Sequence, residues 1–246
     1  MLMLALAPPS PPAAWPACPC GLRAGAIRQA AGEVLARLAE LGVNTEATWA
    51  AANRLSAHSD LALDTAVELL ASVQGGGQGH GRRVVELAVS LAEAAGLSSE
   101  EVRAVRWGAA LHDLGKVRVP REVLDKPGPL TGEERTLVQG HAAWGAELLT
   151  PLPLPAAAVA AVRHHHERWD GGGYPRGLRC RRIPLAARIV AIADVFDALI
   201  SARPYKPAWC EREAARVILR GAGSQFDPRL ARLFVREVLG FRDLRP

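Results

Sequence analysis

The feature that most constrains this chain is a histidine followed by an aspartate inside an apolar helical stretch, His112 and Asp113 in AALHDLGK. Ala109, Ala110 and Leu111 precede the pair, and Leu114 and Gly115 follow it. Placing an imidazole beside a carboxylate in such surroundings is costly unless something satisfies both. A cation does so, because the carboxylate can bridge two metals while the imidazole binds one. The same problem recurs in RIVAIADVFDALIS, where Asp194 stands among Ile189, Val190, Ile192, Val195 and Phe196. Asp197 follows one turn later; a polar contact between helices and a place at the site both remain open for it.

Six of the seven histidines fall in four places: His80, His112, His141 and the run His164-His165-His166. One buried histidine is most often a hydrogen-bonded core residue. Several, together with two aspartates, make a nitrogen and oxygen ligand set. Such a set suits iron, manganese, nickel, cobalt or zinc better than calcium. Two metals about 3.5–4 Å apart can hold a bridging hydroxide and clamp a phosphate during in-line attack. Lys116 lies one turn after His112 on the same face. It is suited to neutralising phosphoryl charge or assisting proton transfer, the alternative being a solvated lysine at a helix end.

Hydrophobic residues make up 49% of the chain and aromatics only 5%, which favours helices around a full core. Ile27, Ala31, Val34, Leu35, Leu38 and Leu41 form one apolar stripe, predicting a helix over 24–41 that Gly42 stops. Further helices are expected over 48–73 (one or two) and over 80–95. Ser98 with Glu101, and Thr131 with Glu134, fit capping boxes, the second opening a helix that carries His141. The remaining helices are expected over 156–168, 185–201, 211–220 and 227–238. No alternating strand pattern is present, so the fold class is all-α, with at most a short hairpin near 174–184.

The domain reading is a proline-rich flexible tail over 1–20, an N-terminal helical segment over 21–58, and the chemistry-bearing domain over 59–246. The middle segment suits a remnant, a homodimer contact or a partner-docking element. The apolar start lacks a basic region and meets Pro8 and Pro9 early, unlike a signal peptide. No apolar run is long enough to span a bilayer. The four cysteines show neither a disulfide framework nor zinc spacing, which fits a cytoplasmic setting. The net charge is +5, and the window 163–188 holds seven arginines against only two acids, which suits an anionic ligand. With no helix-turn-helix or zinc module, a nucleic-acid polymer is the weakest partner.

His112-Asp113 followed by Leu-Gly-Lys116 resembles the HD superfamily of metal-dependent phosphohydrolases. HHERWDGGGYP, from His165 to Pro175, looks like the signature of its HD-GYP subfamily. DKPGPLT before His141, ARIVAIADVFDALISARPYK and the late FDP resemble further motifs of that subfamily, in the same order. The resemblance covers roughly residues 60–240. It implies an HD-superfamily helical bundle, a binuclear or trinuclear centre, and hydrolysis of cyclic di-GMP to linear pGpG or GMP. By position, one metal would take His80, His112, Asp113 and Asp194. The other would take bridging Asp113 with His141, His165 and His166. Iron or manganese leads as the metal, with nickel, cobalt or zinc as alternatives. Asp113 and Lys116 would be catalytic, and Arg203 and Lys206 would bind substrate phosphates. Gly173, Tyr174 and Pro175 would shape the substrate side and contact a partner signalling domain. Gly76 stands where some members carry a metal-recruiting Glu, which implies two metals rather than three. His164 is an extra histidine outside the ligand set. Hydrolysis of another cyclic dinucleotide and a non-catalytic nucleotide-binding module are the other readings.

Overall fold

The computed structural model describes residues 24–43, 71, 79–202 and 207–246. The longer helices are α1 (Ala24–Glu40), α2 (His80–Ala94) and α3 (Ser99–Leu111), then a 3-10 turn, Leu114–Arg118. Short helices α4 (Arg121–Leu124), α5 (Gly132–Gln139) and α6 (His141–Leu148) follow, then α7 (Ala156–His164) and a second 3-10 turn, Cys180–Arg182. The chain closes with α8 (Leu185–Ile200), α9 (Glu211–Arg220), α10 (Pro228–Leu233) and a π-helical turn, Phe234–Val238. Among the described residues there is no strand, only one isolated bridge between Ala222 and Phe226.

Both capping boxes form. The Ser98 hydroxyl accepts from the Glu101 amide at 3.3 Å, and Glu101 accepts from the Ser98 amide at 2.9 Å. Thr131 and Glu134 repeat this at 3.2 and 2.8 Å. Each satisfies amide donors that a helix start leaves without partners.

Two apolar clusters meet at α3. On one side, Ile27, Val34, Leu35 and Leu38 of α1 pack with Trp107, Leu111, Leu114, Leu148, Leu149 and Val162. On the other, Val84, Leu91, Val105, Ala109, Ile189, Ile192, Phe196, Ile218 and Phe234 pack together. The N-terminal helix therefore shares a core with the helices that flank His112. Gly115 sets the approach of the histidine–aspartate turn to α6. A Cβ there would collide with the His141 carbonyl and the Gly145 amide, so only glycine lets the two backbones meet.

Four expectations differ from the structure. The helix expected to run into His141 breaks at Gly140, and His141 opens α6. The helix over 156–168 ends at His164, which leaves His165 and His166 at its C-terminal end. The last helix stops at Leu233 and continues as the π-helical turn. The hairpin over 174–184 is absent. There the Glu167 carboxylate accepts the amides of Arg176 and Leu178, at 2.8 and 2.9 Å, so these donors are engaged by a side chain rather than a strand partner. The expected tail over 1–20 and the helices over 48–73, Ala71 apart, lie outside the described residues. No helix among the described residues is long and apolar enough to cross a membrane.

Leu35 is fully buried on α1. Leu35→Ala should cost about 2–5 kcal/mol in a urea melt, whereas Glu33→Ala on the exposed face should change stability by less than about 0.5 kcal/mol. Equal effects would contradict a core shared by α1.

Candidate metal centre

Helix ends build the centre. His112 sits at the C-terminal end of α3, His165 at that of α7, and His141 just past the end of α5. Each ring turns its Nδ1 to the carbonyl three residues back. The distances are 2.7 Å to Ala109, 2.8 Å to Val162 and 2.5 Å to Val138. A carbonyl can only accept, so each Nδ1 carries a hydrogen and donates it. The same bond occupies a carbonyl that the end of the helix leaves free. The neutral ring then has its lone pair on Nε2, aimed inward.

These lone pairs gather in two groups. The ligand atoms of His80, His112 and Asp194 all lie within 4.8 Å of one another, and so do those of His141, His165 and His166. Asp113 stands between them. Its Oδ2 is 3.4 Å from His112 Nε2, and its Oδ1 is 3.6 Å from His141 Nε2. Asp194 Oδ1 is 3.6 Å from His80 Nε2 and 3.9 Å from His112 Nε2. His141 Nε2 and His165 Nε2 face each other at 3.4 Å. His112 Nε2 is buried with no hydrogen-bond partner. Buried lone pairs facing lone pairs and carboxylates are what divalent cations satisfy, so the residues present fit a metal in each group.

The protonation pattern agrees. Burial, then the neighbouring His166 and His112, drives His165 well below the ordinary imidazole value. Burial, then His141, takes His166 down to about 3, and burial also lowers His141. These rings stay neutral and keep their lone pairs. His112 goes the other way: burial opposes its charge, but the carboxylates of Asp113 and Asp194 raise it to about 9. Burial likewise opposes the charge on Asp113, yet His112 and Lys116 hold it well below the usual carboxylate range. Without a cation, protonated His112 and the Lys116 ammonium together offset the Asp113 and Asp194 carboxylates.

Lys116 Nζ lies 2.6 Å from Asp113 Oδ2, so it reaches the carboxylate between the two groups. Tyr174 stacks on His166, with ring centroids 4.7 Å apart and planes 27° off parallel. Gly173 makes that possible, since a Cβ there would strike backbone atoms of His166, Glu167 and Arg168. Pro175 is exposed beside it. His164 joins neither group; its Nδ1 lies 3.5 Å from the buried Glu167 carboxylate. Arg203, Lys206 and Gly76 lie outside the described residues. Of the arginine-rich window, Arg168 pairs with Asp170 and Arg188 with Asp227, while Arg176, Arg179, Arg181 and Arg182 remain exposed.

The sequence reading missed Glu167, which pins the loop carrying Tyr174, and Arg83. A glutamate placed between a histidine run and a glycine run was the available signal. Nothing local marks Arg83, because its partner, Asp197, is 114 residues away.

The HD domain family matches residues 64–230. The chain is 48% identical over 158 residues to the cyclic di-GMP phosphodiesterase response regulator RpfG of Xanthomonas campestris, covering 63% of this chain and 42% of that protein. It is 39% identical over 160 residues to 3'3'-cGAMP-specific phosphodiesterase 2 of Vibrio cholerae, covering 63% and 30%. The chain thus spans less than half the length of these curated relatives. In fold it is similar to an HD-GYP-type protein of Bdellovibrio bacteriovorus, with a TM-score of 0.54 at 20% identity, covering 88% of this chain and 70% of that one.

A cation entering the centre must displace the His112 proton. Metal uptake should therefore release a proton below about pH 9, where His112 is charged, and affinity should stop rising with pH above that value. Calorimetric titration with Mn(II), in buffers of different ionisation enthalpy, measures this directly. Proton release that is absent near neutral pH would contradict the assignment.

Proposed function

The chain belongs to the HD domain family, and from that premise we propose that it is a metal-dependent phosphodiesterase whose substrate is cyclic di-GMP. The observation that carries this reading is the position of Asp113, with one oxygen turned to each histidine group. Asp113 is the proposed bridging ligand. His80, His112 and Asp194 complete one site, and His141, His165 and His166 the other. Iron or manganese is the proposed occupant of each. A pair of divalent cations supplies two things there: polarisation of a phosphoryl oxygen and a lowered pKa for attacking water.

The chain's own residues do the rest. The Nδ1 bonds to backbone carbonyls orient three of the imidazoles before any ligand arrives. The Lys116 ammonium, held on Asp113 and part-exposed, stands where it can offset charge developing on the phosphoryl group. Tyr174, stacked on His166, walls one side of the centre. The exposed Arg176, Arg179, Arg181 and Arg182 follow Tyr174 in sequence and favour the approach of an anionic substrate. Arg203 and Lys206 are the proposed phosphate contacts, and the Gly173-Tyr174-Pro175 turn the proposed docking point for a signalling domain. A relative specific for 3'3'-cGAMP makes that dinucleotide the second substrate to test.

Protein purified without oxygen and loaded with Mn(II) or Fe(II) should convert cyclic di-GMP to a linear product, faster than it converts 3'3'-cGAMP. Asp113→Asn should abolish turnover. Lys116→Met should lower kcat by about 10²–10³-fold with metal retained. Binding of cyclic di-GMP without any product, in fully loaded protein, would favour the non-catalytic module.

A further inference from the structure

We propose that Asp197 is a positioning residue of the metal centre: together with Arg83 it fixes the His80 imidazole, and occupancy of the His80–His112–Asp194 group depends on it. This inference rests on the metal-centre reading above.

His112, His141 and His165 are each oriented by a carbonyl three residues back in the helical turn before them. His80 is placed differently. It is the first residue of α2, directly after Gly79 in the left-handed conformation (φ 84°). Its Nδ1 turns instead to Asp197 Oδ2 on α8, at 2.6 Å and 117 residues away in sequence. A carboxylate only accepts, so Nδ1 donates and the Nε2 lone pair faces Asp194. The bond from α8 thus does for His80 what the backbone does for the other three rings.

Asp197 is itself held. It is fully buried (0% exposed). Its Oδ1 accepts Arg83 Nε at 2.5 Å. Its Oδ2 accepts Arg83 Nη2 and the Ser201 hydroxyl, both at 3.1 Å. Arg83 Nη2 also donates to Ser201 Oγ at 2.8 Å. Arg83 and His80 lie three residues apart on one face of α2, and Asp194 and Asp197 three residues apart on one face of α8. One face of α8 therefore presents both a proposed ligand and the anchor of a second ligand. The register between the two helices sets the geometry of this group. The His141–His165–His166 group takes no residue from either helix.

That separation yields the test. Metal-free wild type, Asp197→Asn, Arg83→Gln and Ser201→Ala are titrated with Mn(II). Stoichiometry, dissociation constants and the Mn(II) paramagnetic resonance spectrum are recorded, along with the melting temperature of each metal-free protein. Wild type is expected to bind two Mn(II) with a spin-coupled spectrum. Asp197→Asn should weaken one site by about 10–100-fold, leave the other unchanged and give the spectrum of an isolated Mn(II). Arg83→Gln should weaken the same site by a smaller factor, and it serves as the test if Asp197→Asn does not fold. Ser201→Ala, which removes one of the bonds that hold Asp197, should weaken the same site by no more than Arg83→Gln does. Two sites of wild-type affinity in folded Asp197→Asn or Arg83→Gln, or equal weakening of both sites, would overturn the proposal. Failure of wild type to bind two Mn(II) would instead bring down the metal-centre reading, and this proposal with it.

Discussion

The structure depends on a set of buried imidazole nitrogens and carboxylates packed close together, an arrangement that divalent cations would satisfy. His141 and His165 face Nε2 to Nε2, and two carboxylates lie within 4 Å of imidazole nitrogens. In a core of apolar helices, such an arrangement raises the free energy of the metal-free fold. Burial suppresses charge on three rings, and the carboxylates force a proton onto a fourth. Helix packing holds the groups together against that cost, which divalent cations bound there would offset.

The fold assembles this centre with one repeated local device and a few close contacts. A histidine just past a helix end uses the last turn's free carbonyl to orient itself, so helix termination and imidazole placement go together. Gly115 brings the histidine–aspartate turn against the backbone of α6, which sets Asp113 between the two groups. Glu167 gathers the loop that follows α7, and Gly173 lets Tyr174 lie on His166. α1 borders the same region: its Leu35 and Leu38 lie in one buried apolar cluster with Leu111 and Leu114.

Much of this was legible in the sequence. The apolar stripes and capping boxes fixed most helices because those signals are local. Polar groups set in apolar helical stretches marked His112, Asp113 and Asp194, since burial of that kind demands a partner. The structure brings His80, His112 and Asp194 into one group and His141, His165 and His166 into another. Harder to read were the breaks at Gly140 and after His164, because His141 and His165 end helices through side-chain bonds that periodicity does not register. The expected hairpin failed for a related reason: a glutamate, rather than a second strand, takes the loop's amides. The link from His80 through Asp197 to Arg83 joins residues more than a hundred positions apart, so no local pattern reveals it. Arg203 and Lys206 lie outside the described residues.

The most direct test of the central claim is anomalous diffraction from crystals of Mn(II)-loaded protein, collected to locate each bound ion. The account predicts two peaks about 3.5–4 Å apart, one at the His80–His112–Asp194 group and one at the His141–His165–His166 group, with the Asp113 carboxylate between them. A single peak, or peaks away from Asp113, would contradict it.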